Sequence, residues 1–394
     1  MSLISDEAEG GYYLPHHAIT KSTSTTTKVR VVFDASAKTN KGISLNDTLM
    51  TGPTIQSKLF EHLVRFRTHR YVLTADIEKM YRQIWVHPND RLYQKVFWYH
   101  ESHIRTFQLN TVTFGVSSAP FLAIRTLQQL ASDESKDFPI GAEILKRDLY
   151  VDDLLTGADT LKGLLQIRDR TIEILKRGGF HIRQWASTHP QALKDLNERT
   201  LDVEFLTNEN PILKTLGITW NARRDELIYT VNPIKTSNRV SKRHILSAIT
   251  KIFDPLGLLG PIILTSKVLM QECWKAKISW DESVPSALHS SWSSFVEQLE
   301  LIDHLTVDRC LIINEFIEIQ IHGFCDASKI GYGACLYVRS RNKQGDTIVR
   351  LCCAKTRVAP LKDMTIPRLE LSGALTLARL YQEACTAFTF KPNK

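Results

Sequence analysis

The chain has 394 residues, 43% of them hydrophobic, enough for two or three domains with their own cores, which excludes a disordered or low-complexity protein. Lys and Arg outnumber Asp and Glu by 50 to 42, and the net charge of +8 suits a polyanionic partner without requiring one. The seven cysteines (273, 310, 325, 335, 352, 353 and 385) lie in the last third without a Cys-x-x-Cys pair, against a zinc knuckle or disulfide framework.

Reduced thiols are the expected state. The first residues lack the basic and apolar regions of a signal peptide, and the most apolar stretch, 256–264, is too short to span a bilayer. An intracellular protein with no membrane partner is expected.

Residues 1–27 begin acidic and end in a polar run at 21–27, a lead-in. His16 and His17 have no third ligand close in sequence and read as surface residues. Residues 28–34 alternate cationic and apolar side chains over a β-rich run, so Lys28 and Arg30 share one face of a predicted strand. No Asp-Thr-Gly or Asp-Ser-Gly triplet occurs, so no aspartic protease is encoded. Residues 54–70 place apolar side chains at 55, 59, 63 and 66, which is helical spacing, with Lys58, Arg65, Arg67 and Arg70 around them. That basic side reads equally as a nucleic-acid surface or a solvated face.

Residues 71–76 form an apolar β run ending in Asp76, and 84–88 and 93–98 read as further strands of the same sheet. Phe114-Gly115-Val116-Ser117-Ser118-Ala119-Pro120 precedes a helical run, and its small side chains would let a ligand approach the backbone closely. Residues 149–155 enclose Asp152 and Asp153 between apolar runs. Two adjacent carboxylates are costly to bury without a cation, and oxygen-only ligands favour Mg²⁺ or Mn²⁺. Alone, the pair is equally an ordinary hairpin turn or helix start. With Asp76 it supplies three acids, a set able to serve a two-metal phosphoryl-transfer site.

These three ordered boxes, Asp76, 114–120 and Tyr150-Val151-Asp152-Asp153, resemble those of reverse transcriptases, in detail the polymerase region of BEL/Pao-type LTR retrotransposons. The resemblance implies an α+β chain in the right-hand polymerase fold, with fingers and palm over 28–235 and a helical thumb and connection over 236–310. A partial RNase H-like α/β domain would follow over 311–394. It implies an RNA-directed DNA polymerase in which Asp76, Asp152 and Asp153 bind two Mg²⁺ or Mn²⁺ ions. One ion lowers the pKa of the primer 3′-hydroxyl, and the other holds the triphosphate and leaving pyrophosphate. Nucleotide-binding positions would be Lys28, Arg30, Tyr81 (beneath the deoxyribose), Gly115, Ala119 and Pro120. Leu216, Gly217 and Trp220 resemble the primer-gripping hairpin. Implied partners are an RNA or DNA template with its primer and deoxynucleoside triphosphates, and the implied location is a cytoplasmic retroelement particle. The alternative is a polymerase fold that binds nucleic acid without catalysis.

Further on, 161–177 is an amphipathic helix closed by Gly178-Gly179, and 180–185 returns as a strand. From 240 to 277 the pattern is helical, with Ser241 as a cap and Lys242, Arg243, Lys251, Lys267, Lys275 and Lys277 suited to tracking duplex phosphates. A third helix is expected near 286–303. An alternating strand ends in Asp326, two strands follow, and a helix from Pro367 carries Glu370. These two acids match the first two metal-binding acids of an RNase H-like domain. The remaining acids are not found before Lys394, so ribonuclease activity is not expected of this chain.

Overall fold

The computed structural model describes residues 1–4, 10–20, 29–231, 234 and 239–392. Lys28 and the polar run 21–27 lie outside them. The central sheet is four-stranded and antiparallel, in the order Leu149–Tyr150, Asp153–Ala158, Tyr71–Ile77, Ile182–Ser187. Val72, Leu73, Ala75, Ile77, Leu154 and Leu155 are buried on it, so both faces are covered. The helices Leu59–Thr68, Ala119–Asp133, Pro139–Arg147 and Leu161–Arg177 contribute buried residues to the same core.

The helix Leu161–Arg177 has the expected bounds. Thr160 caps it by accepting from the Gly163 amide at 3.1 Å, and Leu164, Ile174 and Leu175 turn inward. Gly179, at φ +75°, closes the end, with its amide bonded to the Lys176 carbonyl.

Two expectations about the first hundred residues are corrected. Residues 84–98 do not extend the central sheet. Pro88 opens the 3-10 turn Pro88–Tyr93, where its missing N–H costs nothing, and Trp85 makes only an isolated bridge to Thr111. The strand Lys95–His100 instead pairs with His103–Gln108 in a separate three-stranded sheet. The hairpin of His16–Thr20 and Val29–Phe33 is a further layer.

The basic helix is the second correction. Arg65 and Arg67 are buried, facing neither solvent nor an open groove. Arg65 donates to the Arg147 carbonyl at 2.8 Å and lies 3.7 Å from Asp148. Arg67 donates to the carbonyls of Asp308, Arg309 and Cys352 at 2.9, 3.1 and 2.6 Å. Carbonyl acceptors are what keep a buried guanidinium tolerable. Arg309, also buried, donates to the Phe66 and His69 carbonyls and pairs with both Asp225 oxygens at 2.5 and 2.7 Å.

The strands Ile212–Thr215, Ile218–Asn221, Glu226–Ile228 and Thr306–Asp308 form a second antiparallel sheet. The helices Lys242–Ile249, Gly260–Lys275 and Ser286–Leu299 enclose a core of their own, and Ser241 caps the first by accepting from the His244 amide. Three of the six cations expected to track phosphates are already engaged. Lys242 is buried, donates to the Ile278 carbonyl at 3.0 Å, and sits 3.4 Å from the Trp274 ring centroid. Arg243 pairs with Asp281, and Lys275 with Glu272.

The strands Phe316–Ala327, Gly331–Asn342 and Thr347–Val358 make an antiparallel meander, crossed by the helix Ile366–Cys385. Among the described residues no helix is long and apolar enough to cross a membrane.

Candidate active site

Asp76 and Asp153 stand directly opposite each other on the two middle strands of the central sheet. Asp152 sits in the two-residue turn between Tyr150 and Asp153, where Val151 takes φ +57°. That turn lets Asp152 escape the strict alternation that would send adjacent strand side chains to opposite faces. The Ile77 amide donates to the Asp152 carbonyl at 2.9 Å and binds the turn to the strand that carries Asp76. All three acids are half-buried.

Their electrostatics link them. Burial first, then the charges of Asp152 and Asp153, push the Asp76 carboxyl up to about 7, against the opposing pull of Arg183. Burial and Asp152 push Asp153 up to about 7, and burial also raises Asp152. Arg183 spends its charge on Glu78 at 3.2 Å, so the acids keep a deficit of positive charge. Hard oxygen donors in such a deficit fit divalent cations of the Mg²⁺ class. Among the described residues no group of three or more His, Cys, Asp or Glu side chains is drawn together as a finished metal site. Mg²⁺ typically takes one or two carboxylates and completes its shell from water and substrate phosphates, so such a group is not required of these acids.

Several residues that set this geometry carry no motif. Asp148 is fully buried, takes Arg147 at 2.8 Å and the Thr156 hydroxyl at 2.7 Å, and so fixes the base of the acidic hairpin. Gln56 donates to the Leu149 carbonyl at 2.9 Å from the other side. Asn46 donates to the Gly115 carbonyl at 3.0 Å and accepts from the Ser117 amide at 2.8 Å. The Arg147-Asp148 pair beside the acidic box was the one sequence signal available; Gln56 and Asn46 act over 93 and 69 residues and left none.

The predicted nucleotide positions separate into two groups. Tyr81, in the 3-10 turn Met80–Gln83, packs edge-on to Phe114 with ring centroids 4.7 Å apart, and burial, then the charge of Asp152, pushes its hydroxyl pKa up. Gly115, at φ +89°, lies so close to the Phe33 carbonyl that a Cβ would fall 2.2 Å from its oxygen. That contact joins the loop to the strand Val29–Phe33, on which Arg30 is exposed. Pro120 is exposed at the start of its helix, whereas Ala119 is buried in the core and serves packing.

In the expected primer-gripping hairpin, Leu216 and Gly217 form a two-residue turn with φ +49° and +81°, the signs a type I′ turn requires. Trp220 is fully buried, edge-on to Phe66, and its indole N–H donates to Asp225 at 3.1 Å. It anchors the hairpin and presents no surface to a ligand. Asp326 and Glu370 are both exposed, and Gly373, one helical turn beyond Glu370, would place a Cβ 3.3 Å from the Asp326 carbonyl.

Residues 19–185 match the family described as reverse transcriptase (RNA-dependent DNA polymerase), and residues 241–394 match the Pao retrotransposon-like RNaseH-like domain. No curated protein matches the sequence. Among solved structures, the chain is similar to the foamy viral protease-reverse transcriptase dRH in complex with ds DNA. The TM-score is 0.59 at 14% identity, covering 94% of this chain and 56% of that one. It is also similar to the foamy viral protease-reverse transcriptase in complex with RNA/DNA hybrid, with a TM-score of 0.57 at 15% identity, covering 95% and 44%. The chain spans about half the length of those proteins, and at such identities the likeness is one of fold.

Proposed function

The chain joins a reverse transcriptase domain over 19–185 to a Pao retrotransposon RNase H-like domain over 241–394, and we propose that it extends a primer along an RNA template by adding deoxynucleotides. The observation that carries this reading is the cross-strand pairing of Asp76 with Asp153, with Asp152 in the adjoining turn. Nothing in the packing of the sheet calls for three half-buried acids there.

In this reading Asp76, Asp152 and Asp153 hold two divalent ions. Bound Mg²⁺ or Mn²⁺ supplies charge neutralisation and a lowered pKa for the primer 3′-hydroxyl. The remaining work is positioning. Tyr81, braced by Phe114, lies beneath the sugar of the incoming deoxynucleotide. Gly115 keeps side-chain bulk away from it, and Arg30 meets the triphosphate, where a planar guanidinium donates to two oxygens at once. Leu216 and Gly217 face the primer. Template and primer are held through their phosphates, so affinity falls steeply with salt and depends little on sequence. In the same reading Asp326 and Glu370 correspond to the first two acids of an RNase H-like site, and cleavage of RNA is not assigned to that pair alone. A retroelement polymerase of this kind works in a cytoplasmic particle.

The test is primer extension on an RNA template with Mg²⁺ or Mn²⁺, beside the double variant Asp152→Asn, Asp153→Asn. Extension by the parent and none by the variant is expected. Equal extension by both would overturn the site. A parent that binds primer–template but never extends it would overturn the activity.

A further inference from the structure

Where the helix Gly260–Lys275, the strand Thr347–Val358 and the helix Ile366–Cys385 meet, they form the walls of an open cleft of about 780 Å³. A smaller one of about 110 Å³ shares Tyr332, Lys355 and Arg357 as lining. The walls are bonded to one another. Gly257, at φ +73°, brings its turn so close to the strand that a Cβ would fall 1.8 Å from the Ala354 carbonyl oxygen, and the Ala354 amide donates to the Leu256 carbonyl at 2.9 Å. Farther along, the Thr356 hydroxyl donates to the Gly260 carbonyl and the Gln271 side chain to the Ala359 carbonyl. The helix is pinned to the strand at both ends.

Cations from three elements line this space. Lys355 and Arg357 alternate onto one face of their strand, Lys267 comes from the first helix, and Arg379 from the last. Tyr332 is the cross-strand partner of Arg357 and so projects to the same side. None of the four cations has a carboxylate partner among the described residues. The two acids that border the cavity are committed elsewhere: Asp254 accepts from the Leu258 and Leu259 amides at 2.9 and 2.8 Å, and Glu383 takes Lys58 at 2.7 Å. Burial, then Arg357 and Lys355, lower the Lys267 pKa, with Asp254 opposing, so these like charges act on one another. Uncompensated cations around a concave, partly apolar space focus anions into it. The volume lies in the range of small-ligand sites, and the lining is more polar and cationic than most, as an anionic ligand requires.

We infer that this junction cavity binds a nucleoside phosphate, its phosphates on Lys267, Lys355 and Arg357 and its base against Tyr332. The phosphates come either from a free nucleotide or from the end of a single strand. The site shares no residue with the acidic hairpin and stands independently of the polymerase reading.

The full chain is titrated by calorimetry in EDTA with tripolyphosphate, ATP and a short single-stranded oligodeoxynucleotide. The double variant Lys355→Glu, Arg357→Glu is expected to bind about tenfold or more weakly. The Tyr332→Ala variant is expected to weaken ATP and spare tripolyphosphate, and the Asp152→Asn, Asp153→Asn variant to bind as the parent does. Loss of ATP and tripolyphosphate assigns a free nucleotide, and loss confined to the oligonucleotide assigns a strand end. Equal affinity of parent and charge-reversed variant for all three probes overturns the site, as does equal loss in the Asp152, Asp153 variant. Matching melting curves establish that the charge-reversed chain is folded. With divalent ions chelated, a chain unable to extend primers can still pass.

Discussion

Asp76 and Asp153 are cross-strand partners, two carboxylates facing each other from the middle strands of one sheet. Like charges directly opposite destabilise a ladder. Both groups are pushed up to about 7, so below that value the folded state holds protons that the unfolded chain releases near 4. For a raised carboxyl the sign is a penalty: metal-free stability falls as pH rises from about 4 to 7 and levels off above it. In EDTA at pH 8, Asp153→Asn is expected to stabilise the fold by about 1–2 kcal/mol, and with Mg²⁺ restored it is expected to abolish primer extension. Melting curves at pH 5 and pH 8 check this; a variant no more stable than the parent at pH 8 contradicts it.

Added Mg²⁺ reverses the same penalty. Ions that bind the folded site and not the unfolded chain raise the melting temperature in proportion to the logarithm of their concentration. The parent is expected to gain with millimolar Mg²⁺ and the Asp152→Asn, Asp153→Asn variant to gain little. A parallel response in both would place the ion elsewhere.

Tyr81 is held against Phe114 by its ring edge, which leaves it little freedom to yield to an added hydroxyl. Tyr81→Ala should relax selection against ribonucleotides by about tenfold or more, read as the ratio of kcat/KM for dNTP and rNTP. Unchanged discrimination would remove Tyr81 from the sugar site.

Asn46 bridges Gly115 and Ser117 from 69 and 71 residues away. Asn46→Ala removes two bonds to the loop's backbone, each worth about 0.5–1.5 kcal/mol. The expected signature is a raised KM for nucleotide with kcat changed less. A fall in kcat alone would mean that Asn46 does not position the nucleotide loop.

Buried Arg309 pairs with half-buried Asp225 at 2.5 and 2.7 Å and also meets the Phe66 and His69 carbonyls. Removing one partner strands the other, so Asp225→Ala is expected to cost about 3–5 kcal/mol in chemical denaturation. A loss below about 1 kcal/mol would show the pair to be dispensable.

How much of this was legible depended on the range of each interaction. Asp76, Phe114 to Pro120 and Tyr150 to Asp153 were readable because each box is a short run with its own residue types. The helix Leu161–Arg177 was readable because its apolar period and glycine end agree. Arg65 and Arg67 were misread because their acceptors lie at 147, 148, 308, 309 and 352, and a buried guanidinium bonded to distant carbonyls looks in sequence like a basic surface. Trp220 was misread for a related reason: its pattern is local, but its burial against Phe66 is not. Pro88 did carry a local signal, since a proline ends a central-strand assignment, and the alternation around it hid that signal.

Arg67 also sets an order in time. Its carbonyl acceptors follow it by 241 to 285 residues, so a ribosome adding about 5–20 residues per second needs roughly 10–60 s to deliver them. Until then the helix that packs against the central sheet carries a guanidinium without these acceptors. A nascent chain therefore completes this network only after residue 352 has been added.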